Sequence, residues 1–189
     1  LSTGQIFRFF LVLSSFVIRT KRKKIYGSTK QSFSRKENDL MKLVVGSDHC
    51  GFALKKALMD KLKSDGHEIE DMGCYDANPV DFPDIARKVC EKILTGHAER
   101  GLMFCGTGVG AAIACNKMPG IRAAVCHDIY SAHQCVEHDN VQVMALGGQI
   151  VGDVVALELI RAFLKANFSV DEEFRRRVAK LEKMDEERG

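Results

Sequence analysis

A cysteine that closes an apolar run and is followed at once by alternating glycines, Cys105-Gly106-Thr107-Gly108-Val109-Gly110, is the stretch of this chain best equipped for chemistry. Glycines at 106, 108 and 110 permit positive φ, so several backbone N–H groups can converge on one point beside the start of a helix. Such a nest can hold an anion or a developing oxyanion. Thr107 adds a hydroxyl inside it. A helix N-terminus also lowers a thiol's pKa, which sets Cys105 apart from the six other cysteines. Two further readings compete. Gly106, Gly108 and Ala111 satisfy G-x-G-x-x-G/A, with Asp128 near the distance of a ribose-binding acid. Spacing alone leaves dinucleotide binding open, although the motif follows the third strand of the pattern and little chain remains for a separate substrate domain. The third reading is a tight turn with a buried cysteine. A G-x-S-x-G hydrolase elbow is excluded, because no serine stands there.

The elements that must position this loop begin at Met41. Leu43–Val45 ends in Gly46-Ser47-Asp48-His49, and Leu54, Ala57, Leu58 and Leu62 then recur at helical spacing until Gly66. His67–Asp71 reads as a second strand. Asp81 and Pro83 open a helix with Ile85, Ala86, Val89 and Ile93 on one face. Strands follow at Gly101–Phe104, Ile121–Cys126 and Val141–Leu146, each with a helical stretch behind it. This alternation predicts an α/β fold of three layers: a doubly wound, five-stranded parallel sheet of Rossmann-like type with helices on both faces. The segment from Gly152 to Lys165 is apolar nearly all round, so burial against the sheet or a partner chain is expected. A C-terminal helix starts near Ser169, with Ser169 and Glu172 as a capping box and Phe174, Val178 and Leu181 as its apolar face. Ligands of such sheets sit beyond the carboxyl ends of the strands. The loops at Asp48-His49, Gly73-Cys74-Tyr75, Cys105–Gly110, Cys126-His127-Asp128 and Gly147-Gly148 are therefore the places to search.

Composition narrows the function. Among 189 residues, 28 Lys/Arg and 25 Asp/Glu give +3, but nine of the basic residues and only Glu37 and Asp39 fall within 1–40. From Met41 onward 19 basic face 23 acidic residues, a balance of −4 that argues against a nucleic-acid face. Ile6 to Arg19 is apolar but interrupted by Arg8, and it is shorter than the ~20 residues a membrane span needs. The main basic cluster, Lys21 to Lys24, follows that run, where a signal peptide would have it precede. Residues 1–40 are thus expected to be an extension, poorly ordered or not part of the native chain, with Met41 as a possible start; a targeting or anchoring segment is the alternative. Residues 41–189 form one domain. Seven cysteines, an odd number with no C-x-x-C pair, speak against a disulfide framework or zinc site and suit a reducing compartment.

Four segments in order, Gly46–Phe52 (GSDHCGF), Cys105–Gly110 (CGTGVG), Asn116–Ala123 (NKMPGIRA) and Glu137–Asn140 (EHDN), resemble the type B ribose-5-phosphate isomerase family, which includes allose- and galactose-6-phosphate isomerases. The likeness runs from Met41 to about Leu181. It implies a cytoplasmic enzyme of the pentose phosphate pathway, interconverting ribose 5-phosphate and ribulose 5-phosphate through an enediolate, with neither metal nor organic cofactor. By that resemblance Cys105 is the base, Thr107 assists, and His138 opens the sugar ring. The N–H groups of Gly106, Gly108, Val109 and Gly110 hold the enediolate oxygen, while Asp48, Tyr75 and Asp139 line the sugar. His49, Arg122 and Arg177 grip the phosphate, and the sites lie at the interface of a homodimer or a tetramer. A six-carbon sugar phosphate is the rival substrate, and a non-catalytic nucleotide or sugar-phosphate binding module the rival function. The chain departs from the family pattern twice. Glu173 and Phe174 stand where the tail commonly reads Arg-His, and Asp139 replaces an asparagine.

Overall fold

The computed structural model describes residues 40–187; the expectation for the N-terminal extension falls outside them. The elements in chain order are β1 (Lys42–Ser47), α1 (Phe52–Ser64), β2 (Glu68–Asp71), α2 (Phe82–Leu94), β3 (Arg100–Cys105), α3 (Val109–Cys115), β4 (Ala123–Val125), α4 (Ile129–Asp139), β5 (Val143–Gly147), α5 (Asp153–Lys165) and α6 (Glu172–Glu187). All five strands are parallel, in the order β2-β1-β3-β5-β4. The expected doubly wound sheet is therefore present. β3 and β5 are buried along their whole length, as continuous apolar runs require when both faces are covered.

Side chains alternate strictly between two cores. Leu43, Val45, Leu102, Phe104, Met144 and Leu146 pack beneath α1, α4 and α5. Val44, Met103, Cys105, Val143 and Ala145 pack beneath α2 and α3. Neighbouring strands β1 and β3 thus lead into helices on opposite faces, α1 on one and α3 on the other, which opens a crevice between their carboxyl ends. Asp48 and Cys105 stand at that switch point.

Three local expectations are corrected. In α1 the buried set is Leu54, Lys55, Leu58 and Leu62, while Ala57 is exposed: a lysine finds a buried acid and takes the place of the small apolar residue. Helix α5 is amphipathic, with Ala156, Leu159, Ile160, Phe163 and Leu164 buried but Val154 and Val155 at least half exposed. At the start of α6 no Ser169–Glu172 box forms. Ser169 Oγ accepts the Asp171 N–H at 3.1 Å and the Asp171 carbonyl accepts the Arg175 N–H, so Asp171 starts the helix two residues later. Of the predicted apolar face only Val178 is deeply buried.

Candidate active site

The site is assembled first by backbone. The Asp48 N–H donates to the Phe104 carbonyl at 3.0 Å, stitching the end of β1 to the end of β3. The turn into α1 presses on the same spot, since a Cβ on Gly51 would lie 2.2 Å from the Phe104 carbonyl carbon. Glycine is the only residue that fits. From the other side the Gly148 N–H donates to the Cys105 carbonyl (2.8 Å) and the Gln149 N–H to the Gly106 carbonyl (3.0 Å). The Gly147 N–H in turn donates to His127 Nε2 at 2.9 Å, so that nitrogen carries no proton. Gly108, at φ 81°, makes the left-handed corner that carries the loop into α3.

Within this frame Asp48 and Cys105 meet. The carboxylate is buried; Oδ1 accepts the Gly51 N–H at 2.8 Å and Oδ2 accepts the Cys105 thiol at 3.0 Å. Burial pushes the Cys105 pKa up, and the hydrogen bond to Asp48 and that residue's negative charge push it further. The N–H groups of Gly108 and Gly106 pull the other way and lose. This reverses the lowered thiol pKa expected from the helix start. Helix α3 has only seven residues, and a full negative charge 3 Å away outweighs a short helix's partial positive end. Thr107 is exposed, and its Oγ1 accepts the Val109 N–H at 3.3 Å. His49 Nδ1 accepts the Val80 N–H at 3.4 Å, and Tyr75, largely exposed, donates its hydroxyl to the Asp71 carbonyl at 2.9 Å. Asp48, His49, Tyr75 and the Cys105–Gly110 loop therefore stand together at the carboxyl ends of the strands.

The remaining expected residues do not join them. Helix α4 leaves the carboxyl end of β4 and returns antiparallel to the strands, so its eleven residues carry His138 and Asp139 about 16 Å back to the opposite end of the sheet. There the His138 ring stacks on Phe174 at 3.9 Å with 16° between planes. The Arg177 guanidinium lies 5.7 Å from the same phenyl ring and pairs with Glu173 at 2.5 Å. Arg122 Nε donates to the carbonyls of Asp139 (2.9 Å) and Asn140 (3.2 Å), and its Nη1 lies 3.7 Å from Glu182. Only 12% of that side chain is exposed, and its guanidinium caps the end of α4. Arg122, His138, Asp139 and Arg177 thus make a second cluster, and one chain cannot fold it onto Cys105.

Two residues that matter at these ends escaped the sequence reading. Phe174 was assigned to an apolar stripe, yet it is the stacking partner of His138. Lys55 sits in the core beside the Tyr75 loop, and only its place among Leu54, Leu58 and Leu62 hinted at burial. Among the described residues no helix is long and apolar enough to cross a membrane.

Residues 43–181 match the Ribose/Galactose Isomerase family. The chain belongs to that family, and it is an isomerase. Ribose-5-phosphate isomerase B of Escherichia coli is 37% identical over 129 residues, covering 68% of this chain and 87% of that protein. D-erythrulose-4-phosphate isomerase 2 of Mycolicibacterium smegmatis is 41% identical over 128 residues, covering 66% and 82%. The solved structure of Clostridium thermocellum ribose-5-phosphate isomerase B superposes with a TM-score of 0.77 at 41% identity, covering 79% of this chain and all of that one. The fold read from the strand–helix alternation and the reaction class implied by the four segments accordingly stand.

Proposed function

We propose that this isomerase interconverts ribose 5-phosphate and ribulose 5-phosphate in sites shared between two subunits. The observation that carries the reading is the buried Cys105 thiol, its proton directed at Asp48, beside the glycine nest at the sheet's crevice. Moving a hydrogen between adjacent sugar carbons needs a base at one carbon and a cradle for the enediolate oxygen. Cys105 takes the proton from C2 of the aldose, the electron pair forms the C1=C2 bond, and the charge passes to O1. The N–H groups of Gly106, Gly108, Val109 and Gly110 hold that oxygen, each such donor being worth roughly 10²–10³ in rate. The O2 hydroxyl proton passes to O1, C2=O forms as the C1=C2 pair takes the proton from the sulfur at C1, and the thiolate is restored. Because the resting thiol is protonated, it must ionise first, and Asp48 Oδ2 already accepts that proton.

Ring opening is the work of an imidazole, whose two ring nitrogens can give and take a proton, and the His138 side chain is 31% exposed. Since His138 lies at the far end of its own sheet, the histidine serving one thiol comes from a second copy. Apolar side chains exposed around the strand ends, Val109 and Ile113 on α3, Tyr130 on α4 and Ile150 before α5, offer that copy a surface. His49 of one subunit and Arg177 of the other then grip the phosphate, and Arg122 holds the Asp139 turn in place. Seven free thiols fit a cytoplasmic setting.

The test is an isomerase assay in chelator, following ketose formed from ribose 5-phosphate, allose 6-phosphate, galactose 6-phosphate and a four-carbon sugar phosphate. The highest kcat/KM is expected on ribose 5-phosphate. Better turnover of another sugar reassigns the substrate, and binding without turnover of any leaves a binding module.

A further inference from the structure

We propose that Lys55 is a positioning residue that sets the Tyr75 wall of the sugar site. The inference rests on the functional reading above, in which Tyr75 borders the sugar. Lys55 is a charged side chain with only 1% of its surface exposed, on the core face of α1. Its ammonium donates to Asp71 Oδ1 (2.7 Å), Asp71 Oδ2 (2.9 Å) and the Cys74 carbonyl (2.7 Å), so all of its donors are engaged. These acceptors stand on either side of Gly73. The same segment closes on itself and on β1: Asp71 Oδ1 takes the Gly73 N–H, the Ser47 N–H donates to the Gly73 carbonyl, and the Cys74 N–H donates to the Ser47 carbonyl. Tyr75 returns its hydroxyl to the Asp71 carbonyl, and its ring centroid lies 5.4 Å from the ammonium. Asp48, which holds the thiol, follows Ser47 directly.

Stability alone is a weak reason to bury such a pair, because apolar replacement of a buried ion pair is often neutral or favourable. What the ammonium does that an apolar side chain cannot is hold three oxygens of the Asp71–Cys74 segment at one point. Tyr75 itself is largely exposed and has little packing to fix it. Its orientation therefore depends on the Lys55 clamp.

The experiment is a double-mutant cycle on the full chain with ribose 5-phosphate, read as KM and kcat separately. Tyr75→Ala and Lys55→Met are each expected to raise KM about tenfold with kcat changed by less than about threefold. In the Tyr75→Ala background, Lys55→Met should add less than about twofold. If Lys55→Met does not fold, Lys55→Met/Asp71→Leu removes both charges together and should show the same tenfold rise. Lys55→Met, or the charge-free double, with the wild-type KM overturns the inference and leaves the functional reading standing. Additive effects of Lys55 and Tyr75 overturn it as well. An unchanged KM for Tyr75→Ala removes the tyrosine from the site and takes the inference with it. Failure of the wild-type protein to turn over any sugar phosphate overturns the functional reading itself.

Discussion

At the Cys105 end of the sheet the polar groups are spent on one another: Asp48 takes the thiol and a backbone N–H, Lys55 takes three oxygens, and Asp48, Cys105 and Lys55 are all buried. At the His138 end the side chains that could meet a substrate are on view. His138 leans on Phe174 and Arg177 reaches past the same ring toward Glu173, with more than half of the arginine exposed. The first region is pre-organised and has its own chemistry; the second is a set of projecting groups that stands apart from the Cys105 thiol of its own chain. A site that draws on both ends gains precision where protons move and adaptability where the phosphate is held. It also needs a second copy of the chain.

The largest effect should come from breaking one end at a time. Cys105→Ala is expected to lower kcat by at least about 10³-fold with an unchanged circular dichroism spectrum, since the group that takes the C2 proton is removed. His138→Ala should cost about 10²-fold through slower ring opening. Neither loss should be final. When the two inactive proteins are unfolded together and refolded, half of the dimers are mixed and each mixed dimer holds one site with both residues intact. Activity should return to about a quarter of wild type. Absence of recovery would place thiol and imidazole in the same subunit and undo the comparison between the two ends.

The alternation of strands and helices was legible because β3 and β5 are continuous apolar runs, and a strand covered on both faces has no other pattern. The nest was legible from Gly106, Gly108 and Gly110, whose spacing has a backbone meaning independent of context. What was not legible depends on partners far away in sequence. Cys105 meets Asp48 across 57 residues, and burial together with that contact reversed the expected direction of the thiol's pKa. Lys55 reads as an error in an amphipathic stripe until Asp71 and the Cys74 carbonyl appear beside it. The capping box at Ser169 and Glu172 failed for a nearer reason: Ser169 Oγ had an earlier N–H, that of Asp171, within reach.

The buried end can be tested by its charge. The thiol's pKa is raised, so the thiolate fraction, and with it kcat/KM, should climb as pH rises above neutrality. Asp48→Asn removes the negative charge and its hydrogen-bond acceptance of the S–H while keeping the shape. The alkaline limb should then move to lower pH. A limb that stays in place, or moves upward, would mean that ionisation of Cys105 does not govern the rate.

Arg122 separates support from binding at the open end. Its guanidinium is mostly buried and holds the Asp139 and Asn140 carbonyls. Hydrogen bonds to charged groups are worth about 1.5–3 kcal/mol each, and Arg122→Ala also strands two carbonyls. A loss of about 2–4 kcal/mol in urea unfolding is expected, with little change in KM. A KM that rises tenfold at unchanged stability would return Arg122 to the phosphate.

The smallest effect concerns Glu173. The Arg177–Glu173 pair is 2.5 Å long, but both side chains are more than half exposed, so the attraction between them is modest and easily exchanged. In that pair the arginine assigned to the phosphate is already partly neutralised, and substrate must displace the glutamate to use it. Glu173→Gln should lower KM for a sugar phosphate by about two- to fivefold without altering kcat, because the interaction is present in ground and transition states alike. The gain should shrink in about 0.5 M salt, where exposed charges are screened. If KM is indifferent to the substitution at low salt, Arg177 does not touch the phosphate, and the cation at this end must come from another residue of α6.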